Sequence, residues 1–214
     1  MTCAGDPGLW AGLFPDGLVP EILCLILRTW AGAPQFGGDE LEVPITLRFC
    51  ERLRQHKDAK RLPFLIWPET PETDAHTGAI AGRIDIRFIH GYQERVYFAL
   101  ECKRLNVVRI GGRRESLARD YVDDGMMRFV EGKYAANLDK GGMLGYVMDG
   151  NVPGAQDSVK AAIVSRKAKL CMDRRGDLRT SSVLPGDGRL KQTSHRLGSV
   201  EFALHHVFLA VEVV

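Results

Sequence analysis

No stretch of this chain is long and apolar enough to span a bilayer. The most hydrophobic run, Leu18 to Trp30, is interrupted by Pro20, Glu21 and Arg28, and no basic segment precedes an apolar one at the N-terminus. Neither a membrane segment nor an export signal is therefore expected, and the cytoplasm is the expected compartment. The cysteines are few and scattered. Cys3, Cys24, Cys50, Cys102 and Cys171 are odd in number and contain no C-x-x-C pair, so neither a disulfide framework nor a structural zinc site is suggested. Neither sign of charge dominates: 29 Lys and Arg against 27 Asp and Glu leave a net charge of +2, unlike a histone-like or polybasic protein. A nucleic-acid partner would have to be met by clustered basic residues. Internal repeats and low-complexity tracts are also missing. A chain of 214 residues buries roughly 70% of its unfolded surface and needs no metal simply to fold, so a metal here would serve chemistry.

What is present reads as an α/β protein. Residues 1–38, punctuated by Gly and Pro, hold one helix from about Asp16 to Trp30, with Leu18, Ile22, Leu25 and Ile26 at helical spacing. This segment is expected to be an N-terminal helical extension packed on a main domain of residues 39–214. A second helix runs from Asp39 to about Lys57, with Leu41, Ile45, Phe49 and Leu53 on one stripe and Pro44 tolerable only in its first turn. Pro63 to Thr77 reads as a Pro-rich, acidic connection. Arg83 to Phe88 and Val96 to Lys103 then alternate with period two about a turn at His90 to Gln93, which makes a β-hairpin. A helix from Ser116 to Ala136, a strand from Met143 to Met148, a helix from Gln156 to Ala168, a turn-rich stretch from Asp173 to Arg189 and a last strand from Phe202 to Val213 follow. Strand-helix-strand order implies a mixed sheet.

The hairpin carries the chemistry. A loop of three residues, Gly91 to Gln93, sets Asp85 opposite Ala99, with Glu101 its diagonal neighbour and Lys103 on the same face. Ile84, Ile86, Phe88, Val96, Phe98, Leu100 and Cys102 form the opposite, apolar face and pin the register. Two carboxylates about 4 Å apart repel by about 4 kcal/mol at an effective dielectric near 20, so a cation must offset them. Lys103 does part of this. Hard oxygen ligands with room for water and phosphate are what Mg²⁺, or Mn²⁺, selects, and such an ion polarises a phosphoryl oxygen and activates water. The cluster thus suits phosphodiester hydrolysis.

Asp85 followed by Glu101-Cys102-Lys103 on the next strand, behind a helix bearing Glu42, resembles the PD-(D/E)xK nuclease superfamily. The resemblance implies a restriction-endonuclease-like fold, a mixed central β-sheet flanked by α-helices. It implies Asp85, Glu101 and the main-chain carbonyl of Cys102 as metal ligands, Lys103 in the active site, and Glu42 as an additional acid holding metal or water. Ile84 stands where the family's name has proline. The segments Tyr121-Val122-Asp123-Asp124-Gly125-Met126, Arg128-Phe129, Gly132-Lys133-Tyr134-Ala135, Gly142-Met143-Leu144-Gly145-Tyr146-Val147, Ser194-His195 and Leu204-His205-His206-Val207-Phe208-Leu209 are similar to a bacterial subgroup associated with phage-defence or restriction loci. Together these likenesses span about residues 39–211.

Each residue also has a plainer reading. Asp85, Glu101 and Lys103 could be a solvated cross-strand ion pair, and Glu42 could close a capping box with Asp39, with Glu40 its competitor for the site. The acid-free stretch from Lys103 to Arg114 makes Arg104, Arg109, Arg113 and Arg114 candidate backbone contacts to nucleic acid, and Lys133 is preferred to Arg128 as a further one. His195 and His206 lack ligand spacing and read as structural, and Trp10, Trp30 and Trp67 read as core. The glycines of residues 141–146 precede a strand, which argues against a dinucleotide loop. The expected function is a metal-dependent nuclease, with DNA preferred to RNA as its substrate. The alternatives are a catalytically weak nucleic-acid-binding or assembly subunit of a defence complex, and a junction-resolving nuclease. A targeting ATPase or helicase, another defence subunit, or a second copy forming a homodimer are the partners such a chain would call for.

Overall fold

The computed structural model describes residues 14–32, 36–37, 40–56, 61–73, 77–91, 96–109, 111–135, 138–173 and 176–212. Helices α1 (Leu18–Ala31) and α2 (Glu42–Gln55) come first, followed by strands β1 (Phe64–Thr73), β2 (Ile80–His90) and β3 (Tyr97–Leu105). A small ribbon, β4 (Val107–Val108) with β5 (Arg114–Glu115), precedes an irregular helix, α3, over residues 118–130. Strand β6 (Lys140–Val147), helix α4 (Val152–Arg166) and strands β7 (Arg179–Thr180), β8 (Leu190–Leu197) and β9 (Val200–Ala210) complete the order. The main sheet has seven strands in the order β1-β2-β3-β6-β9-β8-β7. Its centre is parallel, β3 to β6 and β6 to β9, and its two wings are antiparallel hairpins.

Parallel central strands are covered on both faces, which explains why β3 and β6 are buried along nearly their whole lengths. One core cluster joins Ile22, Leu25, Phe49 and Leu53 of α1 and α2 to Phe88, Phe98, Leu100, Tyr146 and Val207 of the sheet. A second joins Val122, Met126 and Phe129 of α3 and Val159 and Ile163 of α4 to Ala99, Met143 and Phe208. The chain is thus α/β, with a mixed sheet between two helical layers. Among the described residues no helix is long and apolar enough to cross a membrane.

Several expectations need correction. Within the expected connection of residues 63–77, Phe64 to Thr73 form the edge strand β1, where Pro68 and Pro71 are tolerated because only one side of the strand is paired. Trp67 on that edge is 51% exposed rather than core, whereas Trp30 stacks between Phe36 and Tyr146; Trp10 lies outside the described residues. Ile84 turns to the α3 side, away from Ile86 and Phe88. The polar segment Leu190–Leu197 is a strand, pairing with β9. The expected helix of residues 116–136 is short and broken: Ala118–Asp120 is α-helical, Tyr121–Met126 is one wide π turn, and Met127–Val130 closes it, with Gly132 at φ 69° just beyond. The glycines of β6 make room for neighbours: a Cβ on Gly141 would lie 2.6 Å from Phe129, and one on Gly145 2.8 Å from Leu105.

Candidate active site

The β2–β3 ladder stops at Ile86 opposite Leu100, and the cluster forms just beyond that point. Arg87, not Asp85, faces Ala99. His90 N donates to Val96 O at 3.0 Å, so the hairpin loop holds residues 91–95 instead of three, and the register moves by two. The even shift keeps the faces only as far as Ile86: at Asp85 the alternation breaks, since Ile84 packs on the α3 side while Ile86 and Phe88 face α1 and α2. Asp85 nonetheless lies close enough to Glu101 and Lys103 for their charges to act on its carboxyl. Asp85 Oδ2 accepts the amide of Cys102 at 2.6 Å, taking the place of a ladder partner.

Glu42 enters from the first turn of α2. Its Oε1 accepts Lys103 Nζ at 2.9 Å and its Oε2 accepts the Arg104 amide at 2.9 Å, so this carboxylate reaches across to β3 instead of capping its own helix. Asp39, the other half of the expected capping box, lies outside the described residues. Glu40 pairs with Arg48 and offers only its carbonyl, which accepts Arg104 Nη1 at 3.0 Å. Buried Thr46, one turn beyond Glu42, bonds Tyr146 Oη at 3.1 Å and ties α2 to β6.

The Lys103 ammonium spends all three donors: on Glu101 Oε1 at 2.8 Å, Glu42 Oε1 at 2.9 Å and the Cys102 carbonyl at 3.0 Å. Arg128 Nε lies 3.2 Å from the same Glu101 oxygen. Glu101 is 1% exposed, and its Oε2 has no hydrogen-bond partner among the described residues. Three acids, Glu42, Asp85 and Glu101, thus face two cations, a formal excess of one negative charge. Burial, then the charge of Glu101, pushes the Asp85 carboxyl well above the usual range against the pull of the Cys102 amide. Burial also raises Glu101, against Lys103 and Arg128. Burial alone would lower Lys103, but the charges of Glu101 and Glu42 more than offset it and hold the amine above its ordinary value. Gly125, in the wide turn of α3, lets the helix lie against Met143 of β6; a Cβ there would sit 2.5 Å from Met143 Cε, whereas the Lys103 stem is at ordinary contact distance.

The donor set suits a hard cation: two carboxylates, a main-chain carbonyl, one orphaned buried oxygen and excess negative charge. Among the described residues no three acidic, histidine or cysteine side chains converge as a ready ligand set. Lys103 sits between Glu42 and Glu101, and the third oxygen of the site belongs to the backbone. Cys102 offers that carbonyl, because its side chain is packed in the apolar core beneath α1 and α2.

Of the expected nucleic-acid contacts, Arg104 adjoins the cluster. Arg109 pairs with Glu115 at 2.7 Å and Arg114 with Asp149 at 3.4 Å on the β4–β5 ribbon, and Arg113 is exposed there. Lys133 does not lie on α3 at all: the helix ends at Val130, and Lys133 pairs with Glu131 at 2.8 Å in the following turn. Arg128 is the basic residue of that helix that reaches the acids. The π turn explains the exchange, since one wide turn displaces everything after it from the regular helical face. His195 and His206 are buried structural groups. His195 bonds the Leu170 carbonyl at 2.7 Å and Thr193 Oγ1 at 2.8 Å; His206 bonds Thr193 Oγ1 at 2.9 Å and Tyr121 Oη at 3.0 Å. Sequence patterning does not reveal Thr193 and Tyr121 as their partners, because neither sits at ligand spacing.

Comparison of the chain with profiles of protein families, with curated proteins and with solved structures finds no match, so the reading of this site stands on its residues.

Proposed function

We propose that this chain is a divalent-metal-dependent nuclease with a restriction-endonuclease-like fold, hydrolysing phosphodiester bonds in nucleic acid, with DNA as the expected polymer and phage defence or restriction as its setting. The observation that carries the reading is the convergence of Asp85, Glu101, the Cys102 carbonyl and Lys103 beside the end of the β2–β3 ladder, with one Glu101 oxygen buried and without a partner among the described residues. Asp85, Glu101 and the Cys102 carbonyl would hold Mg²⁺ or Mn²⁺, with Glu42 bearing on a ligand water. When bound, the ion supplies Lewis-acid polarisation and a water of lowered pKa. Lys103 stands among these oxygens with its three donors on Glu101, Glu42 and the Cys102 carbonyl, and its charge offsets that developing on the phosphoryl oxygens. Glu42 fixes the position of that ammonium and anchors the Arg104 amide. The protein layers on both sides of the sheet exclude bulk water from Glu101, which strengthens each of these interactions.

The test is incubation of purified protein with plasmid, linear and single-stranded DNA and with RNA, in Mg²⁺ or Mn²⁺ and then in EDTA. Metal-dependent cleavage that Asp85→Asn abolishes and Lys103→Met reduces by about 10²-fold or more is the expected result. Cleavage indifferent to EDTA and to both substitutions would refute the proposal. One observation favours a second reading, a catalytically weak binding or assembly subunit: every Lys103 donor is already taken by the protein itself. Nucleic-acid binding that survives EDTA with no cleavage under any condition would select it.

A further inference from the structure

We infer that Arg128 is the phosphate-contacting side chain of the proposed site, an assignment that rests on the nuclease reading. Its guanidinium is clamped. Nε donates to the Asp124 carbonyl at 2.8 Å and lies 3.2 Å from Glu101 Oε1, while Nη1 donates to Tyr134 Oη. The Tyr134 hydroxyl in turn donates to the Arg83 carbonyl, and its ring, 5.5 Å from the guanidinium carbon, supports the group from beneath. Tyr134 is fully buried. These contacts use the Nε side and one hydrogen of Nη1. They leave the Nη2 edge with no partner among the described residues, on a side chain that is 34% exposed.

A guanidinium held in one orientation on a part-exposed side chain, with one edge unpartnered among the described residues and its Nε on an acid of the site, is arranged for the non-bridging oxygens of a phosphodiester. The other cations around the acids are less available: Lys103 has no donor to spare, and Arg104 places Nη1 on Glu40. Lys133 points to Glu131. Arg128 is therefore the anion contact, and Tyr134 is a positioning residue that acts through it.

Binding of a fluorescein-labelled duplex oligonucleotide, followed by anisotropy in EDTA across a salt series, tests this without relying on cleavage. Losing one phosphate contact lowers the slope of log K against log salt by about 0.9 on duplex. Arg128→Gln is expected to show that drop. Arg128→Lys keeps the charge and the slope but binds about 10-fold more weakly as the planar fork is lost. Tyr134→Phe keeps the slope and, where cleavage is measured, lowers kcat more than it raises KM. An unchanged slope in folded Arg128→Gln overturns the assignment. Should Arg128→Gln fail to fold, unchanged affinity in Arg128→Lys overturns it equally. The two readings fail separately: a wild-type chain that cleaves with metal while Arg128→Gln binds and cleaves normally sinks only Arg128. A chain that shows the slope change but never cleaves sinks only the nuclease.

Discussion

Replacing Lys103 by methionine removes the group that, among the described residues, bridges Glu42 and Glu101, and the geometry sets the size of the effect. The ammonium lies 2.8 Å from Glu101 and 2.9 Å from Glu42, with Glu101 1% and Lys103 14% exposed. Taking one partner from a buried pair costs about 3–5 kcal/mol, because the other charge stays behind without compensation. For a chain of this size that is a fall in Tm of roughly 6–20 °C. Arg128 at 3.2 Å offsets only part of the Glu101 charge, so the lower end is the floor. The assay is thermal unfolding by circular dichroism in EDTA. Two further arms identify the cause. The double variant Lys103→Met with Glu101→Gln recovers most of the loss, since neither charge remains to be buried. Acidification also narrows the gap, because removing the ammonium raises the Glu101 pKa still further in the folded state. The stability lost at neutral pH then returns as pH falls and Glu101 takes up a proton. A Lys103→Met variant that unfolds within about 1 kcal/mol of the parent would refute this reasoning. A loss that Glu101→Gln does not relieve would refute it as well.

Two further outcomes follow from the core. Burial lowers His205 from 6.5 to about 4, so the unfolded chain binds a proton there before the folded one does. Its contribution, about 3 kcal/mol, is complete above pH 6.5 and disappears as pH falls toward about 4. Urea titrations across that window should show stability dropping with acidity, less steeply in His205→Gln; equal slopes would exclude His205 as the cause. Gly141→Ala forces a Cβ to 2.6 Å from Phe129 and 3.2 Å from Phe202, and should cost about 1–3 kcal/mol in the urea midpoint, whereas an unchanged midpoint would mean that the strand has slack there.

The site was legible where its information is local and periodic. In the sequence Asp85, Glu101 and Lys103 share a face by parity, but the loop is two residues longer than expected and Ile84 changes face beside Asp85, so the bond from the Cys102 amide, which no pattern announces, is what places Asp85. Glu42 could be found by its place at a helix start, but only its bonds to Lys103 and Arg104 separate it from Glu40. Edge strand β1 was hidden by Pro68 and Pro71, which signal a loop unless the unpaired edge is known. Strand β8 was hidden because its buried members include Thr193 and His195, polar groups satisfied by partners outside the strand, His206 and the Leu170 carbonyl. Preferring Lys133 to Arg128 assumed an unbroken helical period, and no residue pattern announces the π turn that ends it.

A single main-chain oxygen orders the buried histidines. The Leu170 carbonyl can only accept, so His195, kept neutral by burial, carries its hydrogen on Nδ1 and leaves Nε2 bare. Thr193 must then give its proton to His195 and receive one from His206 Nε2, whose bare Nδ1 takes the hydroxyl of Tyr121. Four bonds run one way, like arrows on a one-lane street, from the wide turn of the helix to the loop before β7. No ring in the series can reverse its tautomer alone.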